Sequence, residues 1–492
     1  MTTASELAPA VEVEQAVEEA VPAAAAWRAV SLERRAQVLR EAVRVVLRRV
    51  DEIAATVSAE TGKPRTEALS HDLFPALEHA AWLARNVGGV LRARRIRYSR
   101  PHLLQKRAWE TYEPYGVVAV ISPWNVPFAI PFTSVATAIA AGNAVVVKPS
   151  ELTPACGAWV RRVLEEAGAP RGLVTVVGGE AAAGEALVAE PRVSKVFFTG
   201  SVAVGRRVAA AAGARGCPVV LELGGKDALL VFADADLDRA VDGALFAAFT
   251  GAGQVCVSAE RIYVERAVHD EFVRRFVAGA AALRPHDEIS PLISERQREK
   301  IEALVADAGG EILTGGRARD ATFYEPTVIL RPAAGTAIEG EEIFGPAVAV
   351  HAFESEDEAV TLANASEFAL GASVWTRDLR RARRVAGRVE AGMVWVNDFG
   401  YSYAAGQASW GGAKGSGFGR SLSTHGLREC VRVKLVDEDR GWLRPAWWFP
   451  YDEHTASALR NGLYVLYGDA RVRAAWRYRR DLLHLARRAL GR

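Results

Sequence analysis

A thiol, a carboxylate and an amide stand out along the chain. Cys256 lies in GAGQVCVSAER (251–261) and is one of four cysteines, with Cys156, Cys217 and Cys430. A thiolate attacks carbonyl carbon well. A free cysteine is also among the most often buried side chains, and between two valines Cys256 reads first as a packing thiol. Glu222 opens ELGGKD (222–227) at the end of an apolar run. A carboxylate in a dry crevice rises in pKa and serves as a general base; a salt bridge to Lys226 is the plainer role. Asn125 in VVAVISPWNVPF (117–128) offers an amide donor just past a strand; an Asx-turn is the plainer role.

Three other stretches have the chemistry of a nucleotide site. KPSE (148–151) puts Lys148 and Glu151 at the exit of an apolar strand. A carboxylate there bonds ribose hydroxyls and repels a 2′-phosphate; the plainer reading is a helix start with Ser150 as N-cap. FFTGSVAVG (197–205) is a strand, a turn at Gly200 and Ser201, and a helix N-terminus that suits pyrophosphate. It lacks the spacing of G-x-G-x-x-G, so its signal is weak by itself.

These residues need elements to hold them. Residues 5 to about 95 read as helices, with Ser31 as N-cap and Gly62-Lys63-Pro64 as stop of an amphipathic run. From Val117, apolar runs at 117–121, 144–148, 173–177, 195–199 and 218–223 alternate with alanine-rich helical stretches. That pattern predicts a parallel, doubly wound sheet. Runs at 227–232, 347–353 and 392–397, with helices near 236–250 and 269–283, predict a second α/β unit. Residues 427–436 read as one further strand.

The chain has 492 residues and a net charge of +2, which gives no case for nucleic acid. The cysteines form neither a disulfide framework nor a metal pair, in keeping with a reducing, cytoplasmic home. No metal site is expected. The N-terminus is acidic and lacks the apolar core of a secretory signal. Residues 114–147 carry no charge, but Pro123, Pro127 and Pro131 would break a spanning helix.

The ordered series ISPWN, KPSE, FFTGS, ELGGK, GQVC, EEIFGP (341–346), VWVND (394–398) and WGGAKGSGFGR (410–420) strongly resembles the aldehyde dehydrogenase superfamily, of the non-acylating type. The resemblance implies an α/β fold with two doubly wound domains and a β oligomerisation arm. It places the NAD-binding domain in 1–97 and 117–223, the arm in 98–116 and 421–436, the catalytic domain in 224–420, and an extension in 437–492. It implies Cys256 as nucleophile, Glu222 as base for thioester hydrolysis, and Asn125 with the Cys256 N–H as oxyanion donors. For the cofactor it implies Trp124, Lys148, Glu151, Gly200, Ser201, Glu342 and Phe344, with NAD favoured by Glu151 and NADP possible. The reaction implied is oxidation of an aldehyde to a carboxylic acid, in a homodimer or homotetramer.

The same resemblance implies Val126, Ile130, Val255, Val257, Tyr401, Tyr403 and Trp410 as candidates to line the substrate tunnel. They favour a hydrophobic aliphatic or aromatic aldehyde over succinic semialdehyde, for which no arginine clamp is evident. A noncatalytic dinucleotide-binding relative is the reading from another class; it should have lost Cys256, Glu222 or Asn125. The family's usual first strand pair is missing, and Ser421 stands where glutamate is common. Residues 437–492 extend past the family's last strand. From Arg471 there are eight arginines against one acid, Asp481. An amphipathic helix here is expected to dock on its own subunit or a neighbour, with an anionic membrane surface as the alternative.

Overall fold

The computed structural model describes residues 4–100, 103 and 105–491, so residues 1–3, 101, 102, 104 and 492 of the expected segments lie outside the described residues. It forms two compact units, 1–91 with 114–432, and 92–113 with 433–492.

The first unit opens with helices. Ser31 caps Leu32–Arg48 by accepting the Arg34 N–H, as its sequence predicts. The run expected as one helix breaks at Arg49, which leaves helical geometry, and resumes as Val50–Thr61. Gly62 ends it at φ +72°, a backbone state that favours glycine. A π-helical turn, Ala68–Leu73, then precedes the helix Phe74–Val90.

Two sheets follow. A six-stranded sheet has the order Gly417–Phe418, Val219–Glu222, Val193–Thr199, Val117–Ile121, Ala144–Lys148 and Val174–Val176. Its last five strands are parallel. The edge strand Gly417–Phe418 pairs antiparallel, with Gly417 opposite Glu222. A seven-stranded sheet has the order Glu311–Thr314, Thr327–Leu330, Ala347–Phe353, Ala259–Glu265, Asp227–Val231, Gly371–Trp375 and Met393–Val396. Leu229 and Val231 pack into the larger core on one face, and Ala228 and Leu230 into a smaller core on the other. Burial on both faces is why these strands read as continuous apolar runs.

The strand expected at 427–436 starts later, because its first three residues end the helix Ser423–Glu429, which precedes the strand Val431–Asp439. Asn143 Nδ2 donates to the Cys430 carbonyl at the break, satisfying a helix-end acceptor. No helix among the described residues is long and apolar enough to cross a membrane; 114–147 is strand, helix and strand.

The second unit holds a three-stranded sheet in the order Arg94–Ile96, Lys106–Pro114 and Val431–Asp439. It also holds three helices, Glu453–Tyr467, Arg471–Arg477 and Arg479–Ala489.

Candidate active site

Glu222 and Cys256 are 34 residues apart, and the seven-stranded sheet explains the spacing. Strands Asp227–Val231 and Ala259–Glu265 are parallel neighbours, joined by the helix Leu237–Phe249. One crossover therefore returns the chain beside its own start. Glu222 stands shortly before the first strand and Cys256 shortly before the second. Asn125 comes from the six-stranded sheet, of which Glu222 also ends a strand, and lies past the carboxyl end of Val117–Ile121, where doubly wound folds bind ligands.

The loop carrying Cys256 is tightly held. Gly251, Ala252 and Gly253 have φ of 59°, 54° and 68°. Such a run costs free energy at Ala252 and persists only when its surroundings over-determine it. Glu67 supplies one constraint: its Oε1 accepts the Gly251 N–H at 2.7 Å and the Thr250 hydroxyl at 3.0 Å. Gln254 supplies another. Its Nε2 donates to the carbonyls of Gly251 and Pro291, and its Oε1 accepts the Ile293 N–H. Asn125 Nδ2 donates to the Gln254 carbonyl at 3.0 Å, tying the amide to the nucleophile loop. Two glycines allow the close approach. A Cβ at Gly225 would run into the Cys256 carbonyl oxygen, and one at Gly253 into that of Gly345.

Asn125 is itself positioned from a distance. Asp72, in the π-helical turn, accepts the N–H groups of Phe128 and Ala129 at the start of the helix Ala129–Ala141. Its other oxygen pairs with Lys63 at 3.3 Å, both side chains being buried.

The electrostatics are those of a dry, acidic pocket. Burial pushes the Cys256 thiol well above its ordinary value, and Asp227, Glu342 and Glu222 push it further, so the resting group is a neutral thiol. Burial raises Glu222 to about 8, with Ser421 and Arg420 opposing only in part. Neither Glu222 oxygen has a hydrogen-bond partner among the described residues. Expected as a possible partner of Lys226, Glu222 is instead free to exchange protons; Lys226 pairs with Glu260. Glu342 is raised to about 7 by burial and then by Glu260, while its Oε1 accepts the Gly225 N–H.

Cys256 borders two cavities. One, of about 360 Å³, is lined by Asn125, Glu222 and Cys256 and also by all seven tunnel candidates, Val126, Ile130, Val255, Val257, Tyr401, Tyr403 and Trp410. Its surface is predominantly apolar, and no lysine or arginine among the described residues lines it. The other, of about 220 Å³, shares Asn125, Glu222 and Cys256 and adds Trp124, Gly200, Ser201, Glu342 and Phe344. The thiol and the base thus stand where a substrate cavity meets a cleft.

That cleft fits a dinucleotide. Ser201 caps the helix Val202–Ala214, leaving a helix N-terminus toward a phosphate. The rings of Trp124 and Phe344 meet edge to face at 5.5 Å, and the half-buried Glu342 carboxylate offers acceptors for ribose hydroxyls. Lys148 and Glu151 do not line the cleft's described wall; they form an ion pair at 3.0 Å, with Lys148 buried and Glu151 half exposed at the strand exit.

Several supporting residues carry no signal in the motifs by themselves. Lys226 and Glu260 form a buried ion pair at 3.0 Å. Glu260 also accepts the N–H groups of Ile343 and Phe344, each at 2.9 Å, so it holds the EEIFGP loop against the cleft. Lys226 donates to the Glu341 carbonyl at 2.6 Å. Charges at both strand starts, in GGKD and SAER, are the traces these residues leave in the sequence. Lys226→Met leaves Glu260 buried without its cation and is expected to destabilise the fold by about 3–5 kcal/mol. A urea midpoint equal to wild type would contradict that assignment. Gln297 and Lys300 complete the loop's support by donating to the carbonyls of Phe344 and Glu342.

The chain is similar to known proteins in sequence and in fold. A family model described as "Aldehyde dehydrogenase family" matches residues 2–436. A 4,4'-diapolycopene aldehyde oxidase of Methylomonas sp is 36% identical over 465 residues, covering 93% of this chain and 87% of that protein. A betaine aldehyde dehydrogenase of Bacillus subtilis (strain 168) is 37% identical over 428 residues, covering 83% and 86%. The crystal structure of a betaine aldehyde dehydrogenase from Staphylococcus aureus, in complex with NAD+, superposes with a TM-score of 0.84 at 32% identity, covering 89% of each chain. With its α/β sheets, its half-buried thiol and its dinucleotide cleft, the chain belongs to the aldehyde dehydrogenase family, oxidoreductases that act on aldehydes with a nicotinamide dinucleotide.

Proposed function

We propose that the chain oxidises a hydrophobic aliphatic or aromatic aldehyde to its carboxylic acid, using Cys256 as nucleophile. The carrying observation is the position of Cys256 and Glu222 on both the apolar cavity and the cleft. In its ionised form Glu222 takes the thiol proton, and the thiolate attacks the aldehyde carbon. The Asn125 amide and the Cys256 N–H stabilise the oxyanion of the thiohemiacetal, donors worth several kcal/mol in a dry site. NAD, when bound, supplies the hydride acceptor. Glu222 gives the thiol proton up to solvent and, ionised again, takes one from water, which attacks the thioester on Cys256; the acid leaves and the Cys256 sulfur is reprotonated. Trp124, Gly200, Ser201, Glu342 and Phe344 hold the cofactor in this reading. Glu151 meets the adenosine ribose and favours NAD over NADP, because its carboxylate repels a 2′-phosphate.

The substrate class rests on the cavity. With no lysine or arginine in its lining, a succinate-semialdehyde-type substrate has no counter-charge. The name of the Methylomonas relative is in keeping with an apolar aldehyde. A cationic aldehyde is the second reading, because Asp398 and the Tyr403–Trp410 ring pair, 4.8 Å apart, could hold an ammonium group. NADH formation across apolar, aromatic, betaine and succinic aldehydes, each with NAD and NADP, separates these readings. The expected order puts long apolar aldehydes first by at least about tenfold in kcat/KM, since each buried methylene is worth up to roughly 0.8 kcal/mol. A preference for betaine aldehyde or succinic semialdehyde overturns the apolar assignment. Cytoplasmic residence and assembly as a homodimer or homotetramer belong to the same proposal. Four free thiols support the first, and the edge strand Val431–Asp439, with Val433 and Leu435 exposed, supports the second.

A further inference from the structure

The end of the chain does not form the single basic helix its sequence predicts. It turns at Tyr478, giving Arg471–Arg477 and Arg479–Ala489. Neither of these helices buries a residue, and Glu453–Tyr467 buries only Thr455, Ala458 and Gly462. Short helices are held chiefly by burying an apolar face. Here the large apolar side chains face outward instead. Half of the exposed large hydrophobics among the described residues lie in 441–491. Trp442, Phe449, Tyr451, Val472 and Trp476 are each about seven-tenths exposed or more.

Cations are interleaved with these side chains. Residues 441–491 carry nine arginines against four acids. Asp481, the one acid after Arg471, is engaged by Asn461. Arg479 lies 4.9 Å from the Trp476 ring and Arg440 5.2 Å from that of Trp442, so cations and aromatic rings share a surface. Between the helices runs an apolar groove of about 520 Å³, lined by Leu459, Leu463, Leu466, Leu482 and Leu485, with Lys106 and Arg444 also on its wall.

Charge decides what covers this face. A second copy would set arginine against arginine. Anionic headgroups complement the arginines, while tryptophan, tyrosine and phenylalanine settle at headgroup depth. No described helix is long and apolar enough to span, so the contact is on the membrane and not through it. We infer that the helices of 441–491 bind the surface of an anionic lipid bilayer. The inference does not depend on the substrate assignment.

Cosedimentation of the full-length protein with vesicles tests it, using phosphatidylcholine alone and phosphatidylcholine mixed with phosphatidylglycerol. Wild type is expected to bind the mixed vesicles at least about tenfold more tightly, less so at high salt. Each arginine near an anionic surface is worth roughly a fivefold change in partitioning, so Arg473→Gln with Arg480→Gln lowers binding about 25-fold. Phe449→Ser with Trp476→Ser lowers binding to the same vesicles. Turnover of a water-soluble aldehyde and the molar mass by light scattering stay at wild-type values. Equal binding to both vesicles, no binding, or variants that bind as wild type overturn the inference. So does a fall in molar mass in either double variant, which would place a second copy on the face.

Discussion

Cys256→Ala is expected to lower NADH formation from every aldehyde by on the order of 10⁴-fold or more, while the protein still folds and binds NAD. The thiol has no substitute in the site. The other cysteines, Cys156, Cys217 and Cys430, are buried and do not line either cavity. The remaining groups at the junction, Asn125 and Glu222, can polarise or deprotonate but cannot form the thioester. Binding of NAD by fluorescence or calorimetry, unchanged in the variant, separates lost chemistry from lost folding. Residual NADH formation within tenfold of wild type would remove Cys256 from the reaction and with it the proposed mechanism.

Glu222→Gln is expected to lower the steady-state rate by about 10²- to 10⁴-fold, the usual span for a general base. The variant keeps the shape of the pocket but cannot take a proton from water. If thiol attack proceeds with solvent as proton acceptor, a burst of NADH near one per site should precede the slow phase, with the acyl group held on Cys256 and visible as a mass increment. In wild type, Glu222 at about 8 must be ionised to act, so kcat rises with pH toward that value and levels above it. The variant lacks this limb. Stability should respond in the opposite sense. The folded pKa lies above the ordinary 4.5, so the native state holds its proton more tightly than the unfolded chain. Wild type therefore loses stability as pH rises from about 4.5 through about 8, and Glu222→Gln does not. Its Tm advantage should be larger at pH 8 than at pH 5; the reverse trend would place Glu222 in a solvated or paired setting.

Much of the site is legible in the sequence because motifs lie at strand exits. Cys256, Glu222 and Asn125 meet at one place, and the seven apolar and aromatic tunnel candidates surround one cavity. What joins them is harder to read. Strand Ala259–Glu265 is hidden because Glu260 and Arg261 interrupt its apolar run; both charges are buried and fully engaged, Glu260 with Lys226 and Arg261 with the carbonyls of Lys226, Leu362 and Ala363. Asp72 acts from a π-helical turn and Glu67 from the helical turn Arg65–Glu67 just before it, a stretch that local periodicity reads as ordinary helix. Their partners, Gly251 and Phe128, are far away in sequence, and only the fold brings them near. The turn at Tyr478 interrupts a pattern that runs on without a proline or glycine, and nothing in the helical periodicity marks it.

The Glu260 carboxylate bears on any attempt to transplant this chemistry. It grips the backbone of Ile343 and Phe344 from the strand that follows Cys256, while Lys226 reaches from GGKD to the Glu341 carbonyl. Three segments that are distant in the chain therefore behave as one portable block. A graft of GAGQVC alone onto another scaffold would carry the thiol without the clamp that keeps its neighbours in register. Recombination between homologous chains faces the same constraint: a crossover between 260 and 341 exchanges one half of the grip for a stranger's, and survives only where both parents kept the same geometry.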